Sequence, residues 1–251
     1  METLTIKAFK ATDEPELCAE FLRGHRQVLE DFGIPNVSTN TEKWTTDPDT
    51  YVIVAISNVH GMVGGIRVEV SREGRPLPMH EALVKMDPAV HMALEELHHG
   101  SNAEVCGLWN ANRYAARGIP TILAFAAVSL ANQLGLKTMV CLVAHYTLRH
   151  ALKAGFTIME HLGDGGTFTY PIPSIKAIAM MIPDAIGMGT MLPPFRQQLL
   201  SLRLRPHQQR VQVLNGVPVT IDYHLRLRGR LIDLSAYRAI EEERSLYGET
   251  A

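Results

Sequence analysis

Residues 4–9 (LTIKAF) alternate apolar and polar positions, as a half-buried strand does. From 14 to 31 the period lengthens. Leu17, Phe21, His25 and Val28 recur three or four apart, Pro15 suits a first helical turn and Gly33 a stop, so a helix is predicted. Residues 36–49 are polar, rich in Thr and Asp, and predict a loop. Two β-branched runs follow, 51–57 (YVIVAIS) and 61–70 (GMVGGIRVEV), with three residues between them, the signature of an antiparallel hairpin. Gly74, Pro76 and Pro78 make 72–79 an irregular loop, and Asp87-Pro88 opens a helix to about 97.

The centre of the chain predicts a strand at 103–109 (AEVCGLW) and a polar, basic turn at 110–120 (NANRYAARGIP). Residues 121–135 form a helix that is apolar nearly all round, which suits burial against a sheet. A strand at 138–144 precedes a short helix from 145, closed by Gly155, and strand character resumes at 156 and at 175–182. After Pro183 the texture changes: 188–194 reads as a linker. Residues 210–225, with Asn215-Gly216 between two alternating segments, read as a hairpin, and 233–247 as a terminal helix. The order of elements gives a mixed α/β (α+β) single-sheet domain over 1–183, followed by a hairpin-plus-helix extension over 184–251.

Composition narrows the function classes. With 46% hydrophobic and 20% charged residues, the 251-residue chain can bury a core, and a net charge of -2 excludes bulk electrostatics as the basis of function. Cys18, Cys106 and Cys141 are too few for a disulfide framework or a zinc knuckle, and adjacent His98-His99 share no face. No metal is expected. The longest apolar run, 119–134, is short for a membrane span and interrupted by Thr121, Ser129, Asn132 and Gln133. A cytoplasmic protein with no membrane span is the expectation.

Charge is concentrated in one place. Residues 196–230 hold seven arginines and one acid, Asp222, a local charge of 7 − 1 = +6. Such a patch could face an acidic partner protein, contact nucleic acid (the lesser expectation), or pair within the chain or with a partner subunit. Arg226, Arg228 and Arg230 alternate and would share one face of a strand continuing 223–225. The hairpin could extend the core sheet or exchange with a neighbour to form a homodimer.

Strand, turn and helix over 105–134 offer an anion site, because a helix N-terminus presents unpaired N–H groups and partial positive charge. Arg113 and Arg117 would add formal charge there, and Gly118 would let the backbone approach. The segment 115–120 (AARGIP) resembles the pyrophosphate loop of the GCN5-related N-acetyltransferase (GNAT) superfamily. Residues 140–156 (VCLVAHYTLRHALKAGF) are similar to its second signature, and the arrangement covers roughly 4–182. The resemblance implies a central, mostly antiparallel sheet flanked by helices, with its fourth and fifth strands splayed around the coenzyme A arm. It implies acetyl-CoA or a longer acyl-CoA as co-substrate and a small-molecule amine as acceptor. Leu108, Trp109 and Asn110 would line the pantetheine. Ala116, Arg117, Gly118, Ile119 and Thr121, with Arg113 beside them, would hold the pyrophosphate.

The chain departs from the family pattern at three positions. Ala115 stands where the family has Arg or Gln, Pro120 removes one backbone donor, and Ala151 replaces the tyrosine that often serves as general acid. His145, Tyr146 or His150 could take that role. Gly64, Arg67 and Glu104 further resemble positions in the acyl-homoserine-lactone and N-acyl amino acid synthases, although Cys106 and Gly107 replace that branch's Ser-Arg pair. This second resemblance implies long-chain transfer from an acyl carrier protein as an alternative. Glu104, beside the proposed arm, would be the general base. A non-catalytic acyl-CoA-binding protein is the other alternative.

Overall fold

Leu4, Ile6 and Ala8 are buried on one side of the first strand, as their alternation requires. The computed structural model describes residues 2–34, 37, 41–97, 101–214, 216–230 and 238. Its strands are β1 (Thr3–Lys10), β2 (Thr50–Ser57), β3 (Gly61–Val70), β4 (Asn102–Asn110), β5 (Thr138–Ala144), β6 (Thr157–Ile158), β7 (Thr167–Thr169), β8 (Lys176–Ile182), β9 (His207–Leu214) and β10 (Val217–His224). The helices are α1 (Pro15–Asp31), α2 (Pro78–Leu83), α3 (Ala89–Glu95), α4 (Ile119–Ser129), α5 (Ala131–Leu134), α6 (Leu148–Lys153) and α7 (Pro193–Leu204).

The strands form one sheet in the order β6-β8-β5-β4-β3-β2-β1-β10-β9, with β7 paired to β8. Every pairing is antiparallel except β1 with β10 and β4 with β5. On one face, Ile6, Ile53, Ile66, Val68 and Val105 pack with α4. On the other, α1 covers Val52, Val54 and Trp109, while α2 and α3 cover Val140 and Ala179. The mixed α/β architecture with a mostly antiparallel sheet is the expected one.

The segment after residue 183 is part of this packing. β10 runs parallel to β1, from Thr3↔Thr220 to Lys7↔His224, so the hairpin extends its own chain's sheet. Ile221, Tyr223, Leu225 and Leu227 join the core on the α4 side. α7 lies on the outer side of α4, with Phe195 edge-on to Phe125 at 5.9 Å. This explains why α4 is apolar all round: the sheet covers one side and α7 another.

Several expectations need correction. The linker placed at 188–194 is a helix start in its last residues, because Pro193 occupies the first turn of α7, where a missing N–H costs nothing. The same reason makes Pro78 the start of α2 inside the loop placed at 72–79. The helix placed from 145 begins at Leu148, since 145–147 form a turn in which the Thr147 hydroxyl donates to Ala144 O at 2.8 Å. The strand placed through 230 stops at His224, although Leu225 and Leu227 remain buried and Arg226 and Arg228 exposed. Asn215, His98-His99 and, apart from helical Arg238, the helix expected at 233–247 lie outside the described residues.

Candidate active site

β4 and β5 are hydrogen-bonded for only three residue pairs, Asn102↔Thr138 to Glu104↔Val140. Past Glu104 the two strands part. β4 carries a bulge there: Arg67 pairs with Cys106 and Gly65 with Trp109, so Gly107 and Leu108 together oppose Ile66. Gly107 has φ +61°, and a Cβ on it would lie 2.6 Å from Nη1 of Arg67. Both the backbone and the space therefore require glycine. β5 meanwhile stays paired with β8 to Ala144.

A cavity of about 560 Å³ occupies the gap between the parted strands. Ala116, Gly118, Thr121 and Ala124 line it on the α4 side, and Val28, Leu29, Phe32 and Ile34 on the α1 side. Glu104 lines it at the point where the strands separate. Its carboxylate is 1% exposed and accepts the Met79 N–H at 2.7 Å. Burial pushes its pKa up to about 8, against the Met79 N–H, which favours the charged form; neighbouring Glu69 raises it and Arg67 lowers it.

Beside Glu104 lies a buried charged cluster. Arg67 donates to Glu69 Oε1 at 2.9 Å and stacks over the Trp44 ring at 4.4 Å. Arg75 donates to Glu69 Oε2 at 2.7 Å. Cys106 donates its thiol proton to Glu69 Oε1 at 3.4 Å, and burial raises the pKa of Cys106 and Cys141 well above that of a free thiol. Neither cysteine is a nucleophile in this environment.

At the α4 end, Ala116 (φ +60°) and Gly118 (φ +75°) both adopt left-handed backbone ahead of the helix. The Arg117 N–H between them donates to Tyr114 O at 3.2 Å, and the helix dipole adds positive potential at the α4 N-terminus. Thr121 in the first turn of α4 meets His150 of α6, Oγ1 to Nδ1 2.6 Å. Arg149 Nε donates to Nε2 of the same ring at 3.3 Å, so Nδ1 carries the ring proton and donates to Thr121. Burial, then Arg149 and Lys153, lower the His150 pKa.

The sequence-predicted residues divide between the cavity and its supports. Glu104, Leu108, Trp109, Asn110, Ala116, Gly118, Thr121 and Tyr146 line the cavity. Arg113, Arg117, Ile119 and His145 do not. Ile119 is fully buried in the core beneath the loop. Arg117 stacks on Tyr114 at 4.9 Å and reaches Glu2 at 3.4 Å, while Arg113 lies 3.4 Å from His60. These two arginines thus brace the loop, and the cations lining the cavity are Arg149 and Lys153. His145 packs edge-on to Tyr146 at 5.2 Å, and Tyr146 in turn stacks on Phe32. Sequence reasoning missed Glu69, visible only as a second acid two residues after Arg67, and took His25 as a core position although it lines the cavity.

No protein-family model matches the sequence, and no curated protein does at a significant level. Solved structures match it. FeeM, an N-acyl amino acid synthase from uncultured soil microbes, is 15% identical with a TM-score of 0.54, over 81% of this chain and 100% of its own. BjaI, a CoA-dependent acyl-homoserine lactone synthase solved with SAM and isopentyl-CoA, is 14% identical with a TM-score of 0.52, over 96% and 100%. MesI, a synthase of the same description, is 13% identical with a TM-score of 0.51, over 77% and 92%. This chain has the GNAT fold. The match to BjaI, at 96% of this chain, runs past residue 183.

Within the GNAT fold the arginines after residue 183 mostly serve the chain itself. Arg203 is buried and donates to the carbonyls of Ile186 and Val128 at 3.0 and 3.1 Å. Arg196 donates to Gly189 and Met191 carbonyls, Arg205 to the Ser201 hydroxyl and Arg230 to the Tyr51 hydroxyl. Among the described residues no group of three or more His, Cys, Asp or Glu could hold a metal ion, and no helix is long and apolar enough to cross a membrane.

Proposed function

We propose that this chain transfers an acyl group from an acyl-CoA thioester to a small-molecule amine. The observation that carries the reading is the parting of β4 and β5 at Glu104, which leaves a cavity between the faces of the sheet. β4 residues 105–110 have no strand on that side, so their backbone N–H and C=O groups can bind the amides of a pantetheine arm as an added strand would. Leu108, Asn110 and the backbone of Trp109 line the arm. Ala116, Gly118 and Thr121 hold the pyrophosphate at the α4 N-terminus, with Arg149 and Lys153 supplying charge.

The amine nitrogen attacks the thioester carbon, the oxyanion collapses, and the carbon–sulfur bond breaks. Glu104, once ionised, takes the amine proton directly or through a water. With a pKa near the working pH it is suited to that exchange. The departing thiolate takes a proton from Tyr146, whose pKa burial raises. His145 acts only by packing on Tyr146.

Val28, Leu29, Phe32 and Ile34 give the α1 side an apolar wall with no cation. That chemistry suits an aliphatic acyl group larger than acetyl. It also leaves an acyl carrier protein as a second donor, since the same arm is attached to both. Ala151 in place of the family's tyrosine favours a non-catalytic acyl-CoA-binding protein as the rival reading.

Thermal shift with acetyl-CoA, a long-chain acyl-CoA and plain CoA tests the site, because a ligand specific to the folded state raises Tm. Release of free thiol in the presence of amines then separates an enzyme from a binder. No shift with any of the three would overturn the coenzyme A reading.

A further inference from the structure

α1 carries a glycine, Gly24, well inside its 17 residues, where glycine is disfavoured. A Cβ built there would fall within the indole of Trp109, 2.7 Å from Cζ2 and from Cζ3. On β3 a Cβ at Gly65 would lie 3.1 Å from the indole Nε1 and overlap the Phe21 ring. Two glycines on separate elements thus make room for one side chain. The indole stands edge-on to Phe21, centroids 5.8 Å apart and planes at 89°, and lines the cavity. Its N–H makes no hydrogen bond among the described residues.

Trp109 follows the β4 bulge and packs in the α1-side core with Phe21 and Trp44. It therefore separates the cavity from that core. Resting on the acyl-transfer reading, we propose that Trp109, held at fixed depth by Gly24 and Gly65, is the end wall that sets the length of the aliphatic acyl group. The wall is adjustable in both directions. Trimming the indole opens apolar space on the order of 150 Å³, enough for a benzene-sized group. Adding a methyl at Gly24 drives the indole the other way, toward the acyl chain.

The test is a binding series from acetyl-CoA to palmitoyl-CoA, with plain CoA as the reference, on wild type, Trp109→Ala, Trp109→Phe and Gly24→Ala. Wild-type affinity should rise by about fourfold per methylene and then break at the length that fills the chamber. Trp109→Ala and Trp109→Phe should move the break to longer chains, and Gly24→Ala to shorter ones, each series being read relative to that variant's own affinity for plain CoA. Trp109→Phe keeps an aromatic ring and removes an unpaired donor, so it remains informative should Trp109→Ala not fold. A break at the same length in every folded variant overturns the proposal while leaving the acyl-transfer reading intact. Failure of wild type to bind any member overturns the acyl-transfer reading, and this proposal with it.

Discussion

Glu69 and Glu104 stand directly opposite each other on β3 and β4, both buried. Like charges at opposed cross-strand positions repel, and burial magnifies the cost. The surroundings are unequal. Glu69 receives the Arg67 and Arg75 guanidinium groups and the Cys106 thiol, whereas among the described residues Glu104 receives only the Met79 N–H. This inequality leaves Glu104 as the carboxyl that holds a proton, next to the cavity.

Glu104 should therefore make stability fall as pH rises. Its folded pKa of about 8 lies above the ordinary 4.5. Between those values the unfolded chain has lost the proton and the folded chain has kept it, so folding loses free energy with each pH unit, on the order of 1.4 kcal/mol. Glu104→Gln has no proton to lose and should show a flatter urea stability profile from pH 5 to 9, overtaking wild type at the alkaline end. Thiol release by wild type should climb to a plateau with a midpoint near pH 8. In the variant it should drop by about 10²-fold or more. Identical stability profiles would show that Glu104 titrates normally.

The Arg67–Glu69 pair is coupled through burial. Removing Arg67 leaves buried Glu69 with Arg75 as its remaining cation and empties the space over Trp44, so Arg67→Ala should cost up to about 3–5 kcal/mol by chemical denaturation. Arg67→Met combined with Glu69→Gln, which strands no charge, should recover most of that loss. A double variant as unstable as the single would point instead to the Trp44 stacking as what Arg67 provides.

Much of the fold was legible because strand runs such as 138–144 are β-branched and bounded by turn residues, and α1 shows its period in Leu17, Phe21, His25 and Val28. Legibility failed where proline was read as a breaker. Pro78 and Pro193 start helices, a position that local sequence cannot distinguish from a loop. Glu104 could be found from its place on the strand beside the proposed arm and from the resemblance to the synthase branch, whereas the bulge after it could not. The direction of the Arg117 side chain could not, since its partners Glu2 and Tyr114 come from different elements. Gly24 was the overlooked signal: a glycine inside a helical pattern often marks a close approach.

His25 should make the protein acid-sensitive. Burial, with a smaller effect from Arg67, lowers its pKa from 6.5 to about 3. Below pH 6.5 the unfolded chain takes up a proton that the folded chain refuses, so stability falls as pH drops toward 3. Among the described residues Nδ1 has no hydrogen-bond partner, so replacement by an apolar ring leaves none of them stranded. His25→Phe should lose less stability than wild type between pH 7 and pH 4. Urea titrations at those two pH values measure it, and equal losses would exclude His25 as a source of the acid limb.

Gly118 separates backbone strain from ligand binding. At φ +75°, alanine costs about 1–2 kcal/mol, yet a Cβ there meets only Leu214 Cδ2 at 4.0 Å. Gly118→Ala should therefore fold with a modest loss of stability. Gly118→Asp adds a negative charge where the pyrophosphate is proposed to sit, and should lose CoA binding by far more than its loss of stability. Equal CoA affinity in folded wild type and Gly118→Asp would remove the loop from the binding site.

The C-terminal segment offers the sharpest contrast between sequence and structure. If residues 184–251 were an appendage, a chain ending at 183 would keep its fold. The pairing of β10 with β1 argues otherwise, because truncation at 183 leaves the β1 edge bare and uncovers the side of α4 that α7 packs against. It also removes Leu199, Leu202, Val219, Ile221 and Tyr223 from the main core, each nearly fully buried. Fully burying a large aliphatic side chain contributes about 1.5–3 kcal/mol, so the loss exceeds the roughly 5–15 kcal/mol by which most domains are stable once backbone pairing is added. The truncated chain should be aggregated or lack a cooperative thermal transition, whereas the full chain should melt cooperatively. A cooperative melt for residues 1–183 would show that the sheet closes without its last two strands.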